Sequence, residues 1–326
     1  EGMPAVAILD TGASGHVLSA ATAARFGIEA ERGARYVEAG MSGDHTLGVS
    51  RPVALAVTGV EPEDEAESAR RPRVPAPFRL TAQRLLLNEA PSDPTAALLS
   101  PGAMVDVVGM PLIRERVIEI EPIGGVAGAL AVRLHPSTAG LRTDAWITLT
   151  LVDYTRRDPK NRGPLPSLAS NPLVPDITIT LGATDVEGDW LLDTGAAVSM
   201  IATKAARRLG LVDAAGTPLK SPDFTLPVGG VGGGHQNLPG FHLDQLSIET
   251  TDGRTLVFPN PSVVVHDVRT KNDDGDTITL DGILGMNLLL PSGSGMTMLG
   301  AARQLPGPFE RVVIDVPGER FGIRLR

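Results

Sequence analysis

One short motif occurs twice in this chain, and each copy is followed by the same succession of parts. The residues "ILDTGAS" from Ile8 return as "LLDTGAA" from Leu191. Without a gap, segments 7–28 and 190–211 share eight identical residues in 22 positions. Further on, "VVGMPLI" from Val107 is echoed by "ILGMNLL" from Ile283, and a glycine-rich stretch precedes each echo. An internal repeat of this length predicts a molecule built from two similar halves.

The chain length agrees with this division. Its 326 residues suffice for two domains of about 150 residues each, both with a sizeable core. A Pro- and Arg-rich stretch from Asp153 has little apolar pattern and is the best candidate for the connection. We therefore expect an N-terminal lobe over 1–152, a linker over 153–175 and a C-terminal lobe over 176–326.

Each repeat predicts a strand that ends at the aspartate, a glycine-containing turn, a second short strand and an Ala/Arg-rich helix. Gly27 and Gly210 fit the left-handed position that ends such a helix. Short segments of alternating polarity surround these parts, so most of the protein should be β. The two aspartates are thereby predicted to lie in loops.

The two halves differ at their beginnings. A strand, turn and strand from Asp176 lead into Asp193, whereas only nine residues precede Asp10. Either the given chain is trimmed or the first half takes its missing outer strand from elsewhere. The segment "AWITLTLVD" from Ala145 resembles "DITITLGATD" and is the candidate donor.

Composition and charge exclude several classes of function. The net charge of −9 and the pI near 5.2 provide no basic surface, so nucleic acid is not an expected partner. The chain has no cysteine, and its six histidines show no metal-ligand spacing, so we expect neither a metal nor another cofactor. No apolar run approaches the roughly 18 residues that a membrane span needs.

Two aspartates at the centre of a duplicated fold can perform acid–base chemistry. If the halves pack about a pseudo-twofold axis, Asp10 and Asp193 lie side by side. Carboxyl groups about 3 Å apart cannot both ionise, and they share one proton. The ionised member then takes a proton from a water that attacks a peptide carbonyl, and the protonated member stabilises the oxyanion and protonates the leaving amine.

The residues beside the aspartates suit this role. Gly12 and Gly195 let the backbone turn tightly and bring amide groups to the carboxylates. Thr11 and Thr194 are placed to hydrogen-bond across the two loops and lock the pair.

On these motifs the chain resembles the aspartic peptidases, and the paired pattern covers nearly its whole length. Its single two-lobed chain is similar to the pepsins, whereas "DTGA" in both halves, "GGVGGG" and "ILGMNLL" are more similar to retropepsins. The resemblance implies two pseudo-twofold-related β-barrel lobes of the aspartic protease fold, each with a short helix, and a catalytic cleft between them.

The resemblance also implies the roles of particular residues. Asp10 and Asp193 are the catalytic pair, Thr11, Gly12, Thr194 and Gly195 support it, and the substrate is a peptide or protein held in extended conformation. No cofactor is used, and a monomer suffices because one chain supplies both aspartates. The flaps that cover the substrate are implied to include Gly40, Met41, Ser42, Gly43, Gly230, Val231, Gly232 and Gly233.

Two departures from the pepsins stand out. Pepsins carry a flap tyrosine, but Tyr36 lies at the base of the presumed flap and we assign it no such role. Pepsins follow "DTG" with Ser or Thr, whereas Ala13 and Ala196 carry no hydroxyl that donates to the aspartates. The loss of this donor raises the lower pKa of the pair, so we expect activity at less acidic pH than for pepsin.

Other functions remain open at this stage. The runner-up is a catalytically inactive module that keeps the cleft to bind a peptide or protein. A third class, an actin-like phosphotransferase, requires alternating parallel strands and helices that the sequence does not predict. The Ala/Gly/Arg-rich, Cys-free composition is typical of bacteria, and the resemblance suggests a secreted or periplasmic location.

Overall fold

A computed structural model describes residues 6–40, 43–57, 78–88, 106–122, 130–154, 158–229, 235–272, 276–289 and 309–325. The part of the chain that it describes is mostly β, as predicted, with short helices that each follow a short strand.

The strands are numbered in chain order. Those of the first half are β1 (Ala7–Leu9), β2 (Val17–Ser19), β3 (Ala30–Gly40), β4 (Gly43–Ser50), β5 (Val53–Val57), β6 (Phe78–Gln83), β7 (Leu86–Asn88), β8 (Asp106–Val108), β9 (Val117–Pro122), β10 (Leu130–His135), β11 (Ala145–Thr148) and β12 (Thr150–Val152). The later ones are β13 (Asn171–Leu181), β14 (Thr184–Leu192), β15 (Ser199–Ile201), β16 (Phe224–Gly229), β17 (His235–His242), β18 (Gln245–Glu249), β19 (Thr255–Pro259), β20 (Ser262–Val265), β21 (Arg269–Lys271), β22 (Thr277–Thr279), β23 (Gly282–Leu284), β24 (Phe309–Asp315) and β25 (Arg320–Leu325).

Each half contains a helix after the aspartate motif and a shorter one after its Gly-Met echo. They are α1 (Ala20–Phe26), α2 (Met110–Ile113), α3 (Thr203–Arg208) and α4 (Met286–Leu289). Gly27 caps α1 in the left-handed conformation, with φ of 64°, and Gly210 has φ of 70° just beyond α3. Both helix ends therefore confirm the prediction from the glycines, and α2 and α4 are additional to the single helix expected in each half. Within the described residues no helix has the length and apolar character needed to cross a membrane.

The central sheets of the two halves have the same strand order. In the first, the order is β3-β4-β7-β2-β8-β1, and in the second the run β16-β17-β20-β15-β23-β14 repeats it. Parallel and antiparallel neighbours also alternate identically, since β1 and β14 pair in parallel with β8 and β23, and β2 and β15 pair in parallel with β7 and β20. The repeat in the sequence is therefore a repeat in topology.

The closed barrels that we expected are not found among the described strands. Within the described residues the sheets are open, because edge strands such as β1 and β3 pair there with one neighbour each, whereas closure requires two.

A further sheet combines strands from both ends of the chain. Its order is β10-β9-β24-β25-β11, so the two C-terminal strands lie between strands of residues 117–148. The largest hydrophobic core lies against this sheet and includes Ile118, Ile147, Trp190, Phe309 and Phe321, which are all buried. Residues of both halves therefore share the largest core, whereas the central sheet of the first half also packs smaller clusters of its own.

The proposed strand donor is wrong. Residues 145–148 form β11, which pairs with β25, and residues 150–152 form β12, which pairs with β13. Neither strand joins the central sheet of the first half. Alternating polarity marks a segment as a strand but does not identify its partner. The segment expected to be the linker ends within a strand, because β13 begins at Asn171.

Candidate functional site

The two aspartate loops are built in the same way. Each aspartate follows the last residue of its strand, and its backbone N–H donates to a carbonyl of the neighbouring parallel strand. The Asp10 amide bonds to Val108 at 3.0 Å, and the Asp193 amide bonds to Leu284 at 3.1 Å. The chain then turns away from the sheet, so each carboxyl group projects from the end of a strand.

The turn residues satisfy each carboxyl group locally. Asp10 Oδ1 accepts from the backbone N–H groups of Gly12 at 2.7 Å and Ala13 at 3.1 Å. Asp193 Oδ1 accepts from Gly195 at 2.8 Å and Ala196 at 2.9 Å. One oxygen of each carboxyl group is thus fixed by the backbone, which leaves the Oδ2 atoms for other partners.

Thr11 and Thr194 join the loops reciprocally. The Thr11 amide donates to Thr194 Oγ1 at 3.1 Å, and the Thr194 amide donates to Thr11 Oγ1 at 3.0 Å. Each hydroxyl donates in turn across the interface, Thr11 to the Leu192 carbonyl at 2.6 Å and Thr194 to the Leu9 carbonyl at 2.7 Å. Four hydrogen bonds between residues far apart in sequence therefore set the relative position of the two loops.

The two carboxyl groups meet at this junction. They are in hydrogen-bond contact with each other. A Cβ atom on Gly12 would lie 2.6 Å from Asp193 Cγ, and one on Gly195 would lie 2.5 Å from Asp10 Cγ. Only glycine leaves room for the opposite carboxyl group at these positions. Both aspartates keep part of their surface exposed, so solvent reaches the pair.

Burial and mutual repulsion shift the titration of the pair. Burial raises the pKa of Asp10. Hydrogen bonds with the Asp193 side chain and from the Gly12 and Ala13 amides lower it and offset part of this rise. The pKa of Asp193 is raised well above its ordinary value, first by burial and then by the negative charge of Asp10. Two such carboxyl groups share a single proton over the pH range between their two titrations.

The Gly-Met echoes lie beneath the loops. The Met110 amide donates to Ala13 O at 2.9 Å, and the Met286 amide donates to Ala196 O at 2.8 Å. A Cβ atom on Gly109 would lie 2.2 Å from the carbonyl oxygen of Gly15, so the crossing requires a glycine. The repeated Gly-Met pair in the sequence therefore marks the close backbone contact that supports each aspartate loop.

Some residues of the site were not found by sequence reasoning. Buried Asn171 donates from Nδ2 to the Thr11 carbonyl at 2.9 Å and accepts from Ser14 Oγ at 2.5 Å, which braces the first loop from β13. His16 is buried, and its Nδ1 accepts from the Gly109 amide at 3.1 Å. Ser199 Oγ accepts from the Gly285 amide at 3.0 Å in the same way. Neither His16 nor Asn171 belongs to a motif that signals such a role.

The predicted flaps coincide with hairpins. Strands β3 and β4 form one hairpin, and β16 and β17 form the other. Gly40 and Gly43 are the last residue of β3 and the first of β4, whereas Met41, Ser42, Gly230, Val231, Gly232 and Gly233 lie outside the described residues. Tyr36 is fully buried under the first hairpin.

One acidic residue of the first hairpin lies close enough to Asp10 to respond to its charge. Burial, and secondarily the negative charge of Asp10, raise the pKa of Glu38 to about 8. Its Oε2 atom is buried and finds no hydrogen-bond partner within the described parts of the chain. Within the described residues no three Asp, Glu or His side chains are grouped closely enough to hold a metal ion.

The second half of the chain is similar to a known family. A family model for aspartyl proteases matches residues 177–288, a stretch that contains Asp193, Thr194, Gly195 and Gly285. The loop of Asp10 lies outside the match. No curated protein matches the chain. The similarity supports an aspartic-protease-like function in general terms.

Proposed function

We propose that this protein is an aspartic endopeptidase that hydrolyses peptide bonds with a water molecule activated between Asp10 and Asp193. The observation that carries the proposal is the reciprocal contact of the two loops, in which each glycine faces the opposite carboxyl group. Such a pair has both a base and an acid available in a single protonation state.

In the proposed reaction the ionised carboxylate accepts a proton from the water molecule as the water oxygen attacks the peptide carbonyl. The protonated carboxyl group donates a hydrogen bond to the developing oxyanion. The tetrahedral intermediate then breaks its C–N bond, and a carboxyl proton passes to the leaving nitrogen. The Gly12, Ala13, Gly195 and Ala196 amides hold one oxygen of each aspartate, which keeps the other oxygen oriented toward the reacting atoms.

We also infer that the halves are lobes related by a pseudo-twofold axis, with residues 1–152 and 176–326 as lobes and 153–175 between them. The equal strand orders of the two central sheets and the paired threonine bonds support this assignment. The substrate is then an extended peptide lying across the two loops under the β3–β4 and β16–β17 hairpins. One chain supplies both aspartates, so we propose a monomer that needs no cofactor.

The test uses Asp10→Asn and Asp193→Asn, which keep the shape of the carboxyl group and remove its proton chemistry. Parent and variants are incubated with a denatured protein mixture between pH 3 and 7, and new termini are counted. We expect each variant to lose cleavage by about a hundredfold or more. As a control, Asp185→Asn changes an exposed aspartate that accepts a bond from Thr180 and should cleave like the parent.

Equal traces of cleavage in the parent and both variants would contradict the enzyme. If the parent then binds unfolded peptides without cleaving them, the protein is the peptide-binding module that uses the same cleft.

A further inference from the structure

Glu38 lies on the inner face of the first hairpin, next along β3 after the last core residue on that face. Side chains two positions apart on a strand point to the same face, and Tyr36, two residues earlier on β3, is fully buried against the first loop's core. The next side chain on that face is Glu38. It is close enough for the charge of Asp10 to act on it.

The second hairpin has an apolar residue at the matching position. The strands that follow the two aspartate loops, β2 and β15, pair with β7 and β20, and this pairing makes Leu86 equivalent to Val264. From these two residues, the registers of β4 with β17 and then of β3 with β16 align Tyr36 with Leu226. Glu38 is then equivalent to Val228, which packs against the core beneath its own hairpin. A carboxyl group therefore replaces an aliphatic side chain on only one of two otherwise similar hairpins.

This replacement is not explained by internal bonding. Buried polar atoms are normally hydrogen-bonded, and leaving one unpaired is costly. Glu38 Oε2 has no such bond within the described residues. Neither Lys, Arg nor His is among the groups that shift the pKa values of Glu38, Asp10 and Asp193. Among the described residues, Asp10 is the charged group that shifts the pKa of Glu38, and His45 is its cross-strand neighbour.

We propose that Glu38 is a specificity-determining residue that selects peptides with a Lys or Arg side chain on the side of the scissile bond covered by the β3–β4 hairpin. This inference rests on the proposed function and adds the substrate class. A cationic side chain supplies the partner that Oε2 lacks and enters a site that holds acidic groups. On the other side of the scissile bond, under the β16–β17 hairpin, Val228 presents an apolar surface. We therefore expect a preference for apolar side chains there.

Binding of the cation also moves a proton. Near neutral pH the isolated Glu38 carboxyl group is largely protonated, because burial raises its pKa to about 8. When an ammonium or guanidinium group pairs with it, the carboxyl group loses its proton to the buffer and becomes the carboxylate of an ion pair. A peptide with an uncharged side chain at the same place leaves the proton on Glu38.

The first experiment measures cleavage preference in a peptide library that varies the residues flanking the scissile bond. The parent should favour Lys or Arg over norleucine by about tenfold or more at one flanking position. Glu38→Gln and Glu38→Val should lose this preference while still cleaving norleucine peptides. The Glu38→Val variant introduces the residue that the second hairpin has at the equivalent position, Val228. Glu115→Gln, which changes an exposed glutamate paired with Arg114, is the charge-matched control and should keep the preference.

The second experiment does not require cleavage. Hydroxyethylene peptide isosteres that carry Lys or norleucine at the selected position are bound to parent and variants by calorimetry at pH 7 in two buffers of different ionisation enthalpy. The Lys compound should bind the parent about tenfold more tightly and release a proton, and both effects should disappear in Glu38→Gln.

The outcomes separate the two proposals. If the parent cleaves nothing but binds the Lys compound with proton release through Glu38, the peptidase proposal fails and the role of Glu38 stands. If the parent cleaves or binds without preference for the cation, or if Glu38→Gln retains that preference, the role of Glu38 is refuted whatever the fate of the peptidase proposal.

Discussion

At the scale of single residues, the alanines after the two Asp-Thr-Gly motifs provide no hydroxyl group to the two carboxyl groups. Ala13 and Ala196 contribute only backbone amides to the carboxylates. A hydroxyl group at these positions would add a donor that favours the ionised form and lowers the pKa of the pair.

The double variant Ala13→Ser/Ala196→Ser should therefore move the acid limb of the pH–activity profile to lower pH. The measurement is kcat/KM against pH on one peptide substrate, since this profile reports the ionisation of the free enzyme. An acid limb that stays in place, or one that moves toward neutral pH, would refute this account.

His16 gives the fold its own pH dependence. Burial lowers the pKa of His16 to about 4, whereas an unfolded histidine titrates near 6.5. Between these values the unfolded chain binds a proton that the folded chain does not, so stability falls as pH drops from 6.5 to 4. Linkage gives a loss of about 3 kcal/mol across this range.

The variant His16→Ser copies the residue that occupies the equivalent place, Ser199, and keeps an acceptor for the Gly109 amide. Urea unfolding at pH 7 and pH 4.5 should show a smaller difference in unfolding free energy for the variant than for the parent. The variant is expected to be less stable at both pH values, because serine fills less of the buried space. An unchanged difference between the two pH values would mean that His16 has the same pKa in the folded and unfolded protein.

At the scale of structural elements, the threonine bridge should be the most sensitive connection between the two aspartate loops. Thr11 is fully buried, and its hydroxyl both accepts from the Thr194 amide and donates to the Leu192 carbonyl. Thr11→Val keeps the volume and leaves both backbone groups without this partner. Each such group costs about 1–3 kcal/mol.

We therefore expect Thr11→Val to lower the unfolding free energy and to reduce activity, measured by urea denaturation and peptide cleavage. Thr11→Ser retains the hydroxyl and serves as the control, with most of both properties preserved. Losses in the Ser variant without losses in the Val variant would assign the role of Thr11 to its methyl group instead of its hydrogen bonds.

The elements differ in how far the sequence determines them. The strand, turn, strand and helix around each aspartate were predictable, because glycine, β-branched and capping residues act locally. The crossing at Gly109 and Gly285 could be suspected from the echo alone. Glu38 and Asn171 could not, since their roles depend on strand register and on contacts with distant segments.

At the scale of the whole molecule, the shared sheet depends on pairing between distant segments. Strands β24 and β25 lie between β9 and β11, and Arg311 bonds to Glu121 across a separation of 190 residues. Periodicity marks a segment as a strand but does not show which strands it joins. The wrong partner for residues 145–152 has the same cause.

Removal of residues 309–326 should abolish folding of the entire chain. The truncation exposes one edge each of β9 and β11 and takes five buried side chains out of the largest core, namely Phe309, Val312, Ile314, Phe321 and Ile323. Thermal melting followed by circular dichroism should show no cooperative transition.

As a graded comparison, Phe321→Ala should fold but lose about 3–5 kcal/mol of stability. Addition of a synthetic 309–325 peptide to the truncated chain tests whether the shared sheet can be rebuilt. A truncated chain that melts cooperatively near the melting temperature of the parent would show that folding does not depend on residues 309–326.

The position of β24 and β25 also governs when the molecule can form during translation. The sheet that joins the halves is completed by strands that are synthesised after both aspartate loops, so the nascent chain carries both aspartates before this sheet can form. If the protein is a peptidase, its cleavage activity then begins only once β24 and β25 have been made.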